Sequence, residues 1–418
     1  MKIAYIIPSC SVSGGLAVIC QHGNRLLSRG HSVIFLSIID KDSMDWFPNQ
    51  NVPIIEASSW EGELDLLVAT SWRTAFWLTK IKAQAKCYFV QSDETRFHPE
   101  GSRWQHLASL TYYLRVNYLT EARWIRKWLK DCFGHEAELV PNGLDREIFH
   151  RDVPLIPKGN KPRILLEGAI NLPYKGMKEA FEAVHNIDAE VWCVSSYGAP
   201  HPSWKCDRHF EQVPMQEMRR IYSSCDILLK LSRVEGFFGP PMEMMACGGA
   251  VVVGKVTGYD EYIIENKNAL VVDATDINAA ENAIRELIWN KDLRTSLVSE
   301  GYRTAEEWDW EKSIDTLENY YKSLLASPSR DFNSALQGKH DSSISYAYSF
   351  MSAGMLPDEI ISSGSSPTVP PHAQLLAARI ASTAFFIWIA DLARASYHIY
   401  KNLKRNLSLV KSNLFKIR

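Results

Sequence analysis

Two glutamates, Glu235 and Glu243, stand on either side of a turn-forming stretch, Gly236-Phe237-Phe238-Gly239-Pro240-Pro241-Met242. The apolar run 226–231 ahead of them reads as a buried strand. Glu235 is therefore predicted at the carboxyl edge of a sheet, where open α/β sheets take their ligands. Pro240 and Pro241 suit a first helical turn, so Glu243 falls early in a helix. The amino end of such a helix offers unpaired N–H groups and a partial positive charge to an anion such as phosphate. One carboxylate here can accept two hydrogen bonds from a ribose diol, and the other can hold sugar hydroxyls. Without its neighbours the pair fits equally a loop followed by an acidic first turn.

The elements that must position these residues follow from periodicity. Lys2–Ile7 is a short apolar run ended by Pro8, and Ser13-Gly14-Gly15 then leads into an amphipathic helix stopped by Gly30. Residues 32–38, 65–69 and 85–90 are again strand-like. The pattern breaks at Val140-Pro141-Asn142-Gly143 and restarts with strands at 163–167, 190–194, 226–231 and 250–253. Helices are expected at 178–184, 215–225, 241–247, 277–288, 293–307 and 310–325. Apolar strands alternating with amphipathic helices predict parallel sheets covered on both faces. The break near 141–157 predicts a hinge between two α/β units.

The 418 residues are too many for one ordinary core, which agrees with two domains. Apolar residues make up 46% and charged residues 22%, as in a soluble globular protein, and the net charge of −2 gives no reason to expect a nucleic-acid partner. The eight cysteines form no C-x-x-C pair, which argues against a disulfide framework or a structural zinc site. The apolar run at the start is shorter than a secretory signal. A cytoplasmic protein is the expectation.

The stretch from Glu235 to Gly248, with its E-G-F and P-P-M-E-M-M-A-C-G, resembles the signature of the retaining glycosyltransferases of family 4, which have the GT-B fold. Similar stretches occur in the family's order: Ser13-Gly14-Gly15, Gly30-His31-Ser32-Val33, Val140-Pro141-Asn142-Gly143-Leu144-Asp145 with Phe149, and Lys175-Gly176. The resemblance covers roughly residues 1–325. It implies two Rossmann-like, doubly wound domains facing a cleft, an acceptor domain at 1–145 and a donor domain at 146–326. The implied activity moves a sugar from a nucleotide-diphosphate donor to a glycan or lipid-linked glycan, with retention, as in bacterial O-antigen-like surface polysaccharide. By resemblance Glu243 binds the donor ribose, and Glu235 with the backbone of Gly236, Phe237, Phe238 and Gly239 holds the donor sugar and phosphates. Lys175 neutralises the leaving diphosphate, and Gly14 and Gly15 allow close approach to the phosphates. The charge that develops is then met by fixed cations and backbone dipoles, with neither a metal nor a cofactor.

The sequence departs from the family in three places. Ala169 follows Gly168 where the family carries a phosphate-binding Arg, so Arg233 or Arg163 is the substitute to look for. Phe238 stands where the family has Gly. No His occurs in Tyr88-Phe89-Val90-Gln91-Ser92-Asp93-Glu94, where the family has one that touches the donor sugar. Asp93 or Glu94 can serve as a base toward the acceptor, or simply form a solvated acidic loop. Ser71, Trp72 or Arg73 can line the acceptor side, or Thr70 or Ser71 can cap a helix. Asp40-Lys41-Asp42 has the form of a metal-binding Asp-x-Asp but reads as a short acidic loop. A sugar-nucleotide epimerase, a phosphorylase or a non-catalytic nucleotide-sugar-binding scaffold are the other readings.

Beyond residue 326 the composition shifts to Ser, Gly and Pro, which reads as a linker over 327–371. The segment 372–418 carries the apolar stretch 380–390, dense at Phe385-Phe386-Ile387-Trp388-Ile389 and only about half the ~20 residues a spanning helix needs. Leu403, Leu407, Val410, Leu414 and Ile417 then recur at helical spacing opposite basic residues. The expectation is an amphipathic basic helix that meets either an anionic membrane surface or a partner protein.

Overall fold

The computed structural model describes residues 1–326 apart from Gly101 and Arg115. The segments 327–371 and 372–418, with the linker and tail expected there, lie outside the described residues. Seven parallel strands form the first sheet: β1 (Lys2–Ile7), β2 (Ser32–Ser37), β3 (Ile54–Glu56), β4 (Leu64–Ala69), β5 (Ala83–Val90), β6 (Asn117–Thr120) and β7 (Ala137–Leu139). Their order across the sheet is β3-β2-β1-β4-β5-β6-β7. Six form the second: β8 (Arg163–Glu167), β9 (Glu190–Ser195), β10 (Arg208–Glu211), β11 (Ile227–Lys230), β12 (Ala250–Gly254) and β13 (Leu270–Val272), in the order β10-β9-β8-β11-β12-β13.

Both sheets reverse their strand order once, between β1 and β4 and between β8 and β11. β1 pairs with β2 and β4, and β8 with β9 and β11, all in parallel. At such a switch point neighbouring connections leave on opposite faces and open a crevice at the carboxyl ends of the strands. The central strands are near-continuous apolar runs because helices cover both faces. Ile3 to Ile7 and Ile164 to Leu166 are fully buried. Helix Gly14–Ser28 starts at the first crevice, where the Ser13 side chain caps it by accepting from the Leu16 N–H at 3.2 Å.

The last helix, Trp310–Ala326, does not stay with the second domain, to which the sequence division assigns it. Trp310, Ile314, Leu317 and Tyr321 pack into the core of the first domain beside Tyr5 and Phe89. The Tyr5 and Tyr321 hydroxyls meet at 3.0 Å, and Arg29 pairs with Glu311, Asp315 and Glu318. The chain thus crosses between the domains twice, after β7 and before Trp310.

Candidate active site

The loops after β1, β4, β5, β8 and β11 enclose a cleft of about 580 Å³. Lys175 and Glu235 face each other in it, Nζ to Oε1 at 2.8 Å. Lys175 is placed by a tight turn, Pro173–Lys175, that ends on Gly176 at φ +64°. A Cβ at Gly176 would lie 2.1 Å from the Leu231 carbonyl oxygen, so the turn demands glycine both for its backbone conformation and for space. Burial alone would raise the Glu235 carboxyl, but attraction to Lys175 and then Lys230 outweighs it and holds the group below its ordinary value.

Glu243 lies in helix Gly239–Ala246, whose first turn carries Pro240 and Pro241. Its Oε2 accepts a hydrogen bond from the Tyr222 hydroxyl at 2.9 Å. Burial pushes its carboxyl up to about 7, against the help of that hydrogen bond, and repulsion from Glu167 adds to the rise. Gly236, Phe237 and Gly239 line the cleft with Glu235 and Glu243, and so do Gly14 and Gly15 from the opposite domain. A Cβ on Gly236 would fall 1.8 Å from the Gln91 carbonyl oxygen, so the second-domain loop touches the end of β5.

Other sequence candidates fall elsewhere. The Phe238 ring is fully buried in the second core, where it supplies packing and leaves only its backbone for the donor contact expected of that loop. Arg233 donates to Glu179 at 2.8 Å and does not line the cleft. Arg163 starts β8 at the opposite edge of the sheet, bound to Glu190 at 2.8 Å and to the Ser224 carbonyl at 2.6 Å, and stacked over Trp192. Neither replaces the Arg absent at Ala169. The cation that is present is Lys230, the last residue of β11, which the sequence reading treated as part of an apolar strand. A lysine closing a parallel core strand at a switch point was the signal.

In the first domain Glu94 lines the cleft, while Asp93 caps the following turn through Thr95 and Arg73 stacks over Trp72. Glu94 accepts from the Trp72 N–H and from the Tyr88 hydroxyl, and burial raises its carboxyl to about 7. Ser71 both caps the short helix Trp72–Ala75 and lines the cleft. Glu121, which the sequence reading did not single out, is buried where the domains meet. Its carboxyl is raised to about 8, chiefly by desolvation. Asp40 binds the Cys10 N–H at 2.7 Å, a loop contact. Among the described residues no cluster of three metal-ligating side chains occurs, and no helix is long and apolar enough to cross a membrane.

Two Rossmann-like sheets whose switch-point loops line one cleft define the GT-B fold. Residues 208–304, which include Glu235, Glu243 and Lys230, match the family described as glycosyl transferases group 1. That segment is thus similar to the group 1 glycosyltransferases, and it sits on a GT-B frame. An uncharacterized glycosyltransferase of Methanocaldococcus jannaschii is 26% identical over 214 residues, which cover 49% of this chain and 58% of that protein. The O-antigen biosynthesis protein RfbC of Myxococcus xanthus is 23% identical over 60% of this chain and 20% of its own length. The matches thus span well under two thirds of these relatives. Anabaena HepE in complex with UDP-glucose superposes with a TM-score of 0.61 at 13% identity, over 77% of this chain and all of that one.

Proposed function

We propose that this protein transfers a glycosyl group from a nucleotide-diphosphate sugar to a glycan or lipid-linked glycan, with retention and without a metal ion, in making a bacterial surface polysaccharide. The observation that carries the reading is the grouping of Glu243, Glu235 and Lys175 in one cleft at the switch point of the second sheet, with both glutamates inside the segment that matches the group 1 family. An acceptor hydroxyl approaches the anomeric carbon from the face that the diphosphate leaves. The bond from that carbon to the diphosphate oxygen breaks with its electron pair going to the diphosphate, and the hydroxyl proton passes to a departing phosphate oxygen as the new glycosidic bond forms. In this reading Lys175 offsets that negative charge. Glu243, beside the amino end of its helix, suits a ribose diol. UDP-glucose in the HepE complex supports a nucleotide-sugar donor, and the RfbC relationship supports an O-antigen-like product. Retention and metal independence come from the family resemblance. The expected place is the cytoplasm, at the inner face of the plasma membrane if the basic tail meets lipid.

The test incubates the full-length protein with UDP-, GDP- and dTDP-sugars and lipid-linked glycan acceptors. Release of nucleoside diphosphate together with a new glycosidic bond, its anomeric configuration read by NMR, is the expected result. Binding without transfer or hydrolysis of any donor would favour the scaffold reading. Conversion of the sugar nucleotide itself would favour an epimerase.

A further inference from the structure

Lys230 ends a strand whose other residues, Ile227, Leu228 and Leu229, are wholly buried, and is itself only 3% exposed. Lysine is almost never buried to that extent without a use for its charge. Its ammonium donates to the Glu167 carboxylate and, at 3.0 Å, to the Glu167 carbonyl. Its third N–H finds no acceptor at hydrogen-bond distance among the described residues, since Glu235 Oε1 stands 4.0 Å away. That same Oε1 is the atom that Lys175 holds at 2.8 Å. Two ammonium groups from different loops thus converge on one anionic oxygen.

The charge balance of the cleft sharpens the point. Its lining includes six carboxyl side chains, and Lys175 and Lys230 are its cations among the described residues. Arg163 and Arg233 are committed elsewhere, and Ala169 brings no charge. A diphosphate entering this cleft would meet one ammonium at Lys175, too little to offset both its own charge and the surrounding carboxylates. Nor does stability account for Lys230. A buried ion pair typically contributes little more than apolar side chains of the same volume, and leucine would continue the strand.

We propose that Lys230 contacts the substrate and forms, with Lys175, a two-lysine clamp on the donor diphosphate, giving up its contact with Glu167 for phosphate oxygens when the donor enters. This rests on the nucleotide-sugar reading of the same site. The clamp holds the phosphate distal to the nucleoside, so it distinguishes a nucleoside diphosphate from a monophosphate.

The test is calorimetric titration of the full chain with UDP, GDP, dTDP and ADP and with the matching monophosphates. Lys230→Met should lower diphosphate affinity about tenfold or more, the loss of one charge-assisted contact, while monophosphate affinity changes less. Lys230→Arg should restore most of the preference. Because Lys230→Met strands the Glu167 carboxylate, the charge-balanced pair Lys230→Met with Glu167→Gln is measured alongside it. A purely structural lysine would weaken both ligands equally. An unchanged diphosphate-to-monophosphate ratio in a folded Met variant, with Lys175→Met still lowering it, would overturn the clamp and leave the proposed function standing. Failure of the wild-type protein to bind any of the diphosphates would overturn both.

Discussion

Glu121, in the loop after β6, accepts a hydrogen bond from the backbone N–H of Phe237 in the opposite domain, Oε1 to N at 3.0 Å. Its Oε2 accepts from the Asn142 side chain at 2.9 Å, at the crossover between the domains. Trp124 donates to the Gly236 carbonyl at 2.9 Å, so first-domain groups hold the loop between Glu235 and Gly239 on both sides. Glu121→Ala should strand a buried N–H and cost about 1–3 kcal/mol of stability. Glu121→Gln should be tolerated, because the unpaired Asn142 Oδ1 can receive an amide donor once the Asn142 amide is turned. Thermal unfolding checks both.

The same residue fixes a pH dependence. Its carboxyl rises from an ordinary value of 4.5 to about 8 on folding. The folded state therefore binds more protons than the unfolded one between these values, and stability falls as pH rises through that window. Glu121→Gln should flatten this part of the curve and be the more stable protein near and above pH 8, as read from denaturant midpoints across pH. An unchanged pH profile in the Gln variant would show that the carboxyl does not titrate in the folded protein.

Glu243 gives a complementary signature in binding. Two ribose hydroxyls donating to its carboxylate favour the ionised form, while the empty site holds the group at about 7. Donor binding should therefore release a proton, and affinity should rise between about pH 6 and about pH 8. A nucleotide sugar is the right probe, since its diphosphate diester keeps a constant charge over that range. Glu243→Ala should weaken donor binding at least about tenfold, from charge-assisted bonds of about 1.5–3 kcal/mol each. Glu243→Gln should bind weakly with a flatter profile, leaving only what Glu94 and Glu121 contribute. Wild-type affinity in a folded Ala variant would remove Glu243 from the site.

What the sequence reveals of this fold depends on burial. The central strands β1, β2, β4, β5, β8, β9, β11 and β12 are legible because covered parallel strands must be apolar throughout. Four of the five strands that went unread, Ile54–Glu56, Ala137–Leu139, Arg208–Glu211 and Leu270–Val272, are the sheet edges, and the fifth, Asn117–Thr120, adjoins one. Each is only three or four residues long and most are partly exposed, so no period could emerge. Glu235, Glu243 and Lys175 were legible as a motif. Lys230 was not, because the apolar run around it hides a charge whose use depends on the neighbouring strand. Glu121 was hidden for a related reason, since its partners, Asn142 and Phe237, are distant in sequence.

Gly176 offers a test of how rigidly Lys175 must be held. Alanine there meets both a left-handed backbone angle and the Leu231 carbonyl at 2.1 Å. The Pro173–Lys175 turn must shift to relieve the contact, which moves the Lys175 ammonium away from Glu235. Gly176→Ala should cost more than about 1 kcal/mol of stability and lower kcat more than it raises KM, because in the proposed reaction Lys175 acts on charge that develops as the bond breaks. A variant with wild-type kcat would show that the leaving group does not depend on this turn.

Metal dependence is the last expectation the geometry bears on. Glycosyl transfer needs positive charge where the diphosphate departs, and a divalent ion supplies it in many enzymes. In this cleft Lys175 and Lys230 converge on one oxygen, and helix Gly239–Ala246 adds its amino terminus. With these fixed charges, transfer should continue after dialysis against EDTA at close to its original rate. Asp40 and Asp42 form the one Asp-x-Asp pattern weighed as a metal site, yet Asp40 Oδ1 already accepts from the Cys10 N–H at 2.7 Å. Asp40→Asn should therefore act through the loop, lowering stability without creating or removing a metal requirement. If EDTA instead abolishes transfer and magnesium or manganese restores it, two lysines and a helix terminus are insufficient, and the ion must be sought beside the diphosphate.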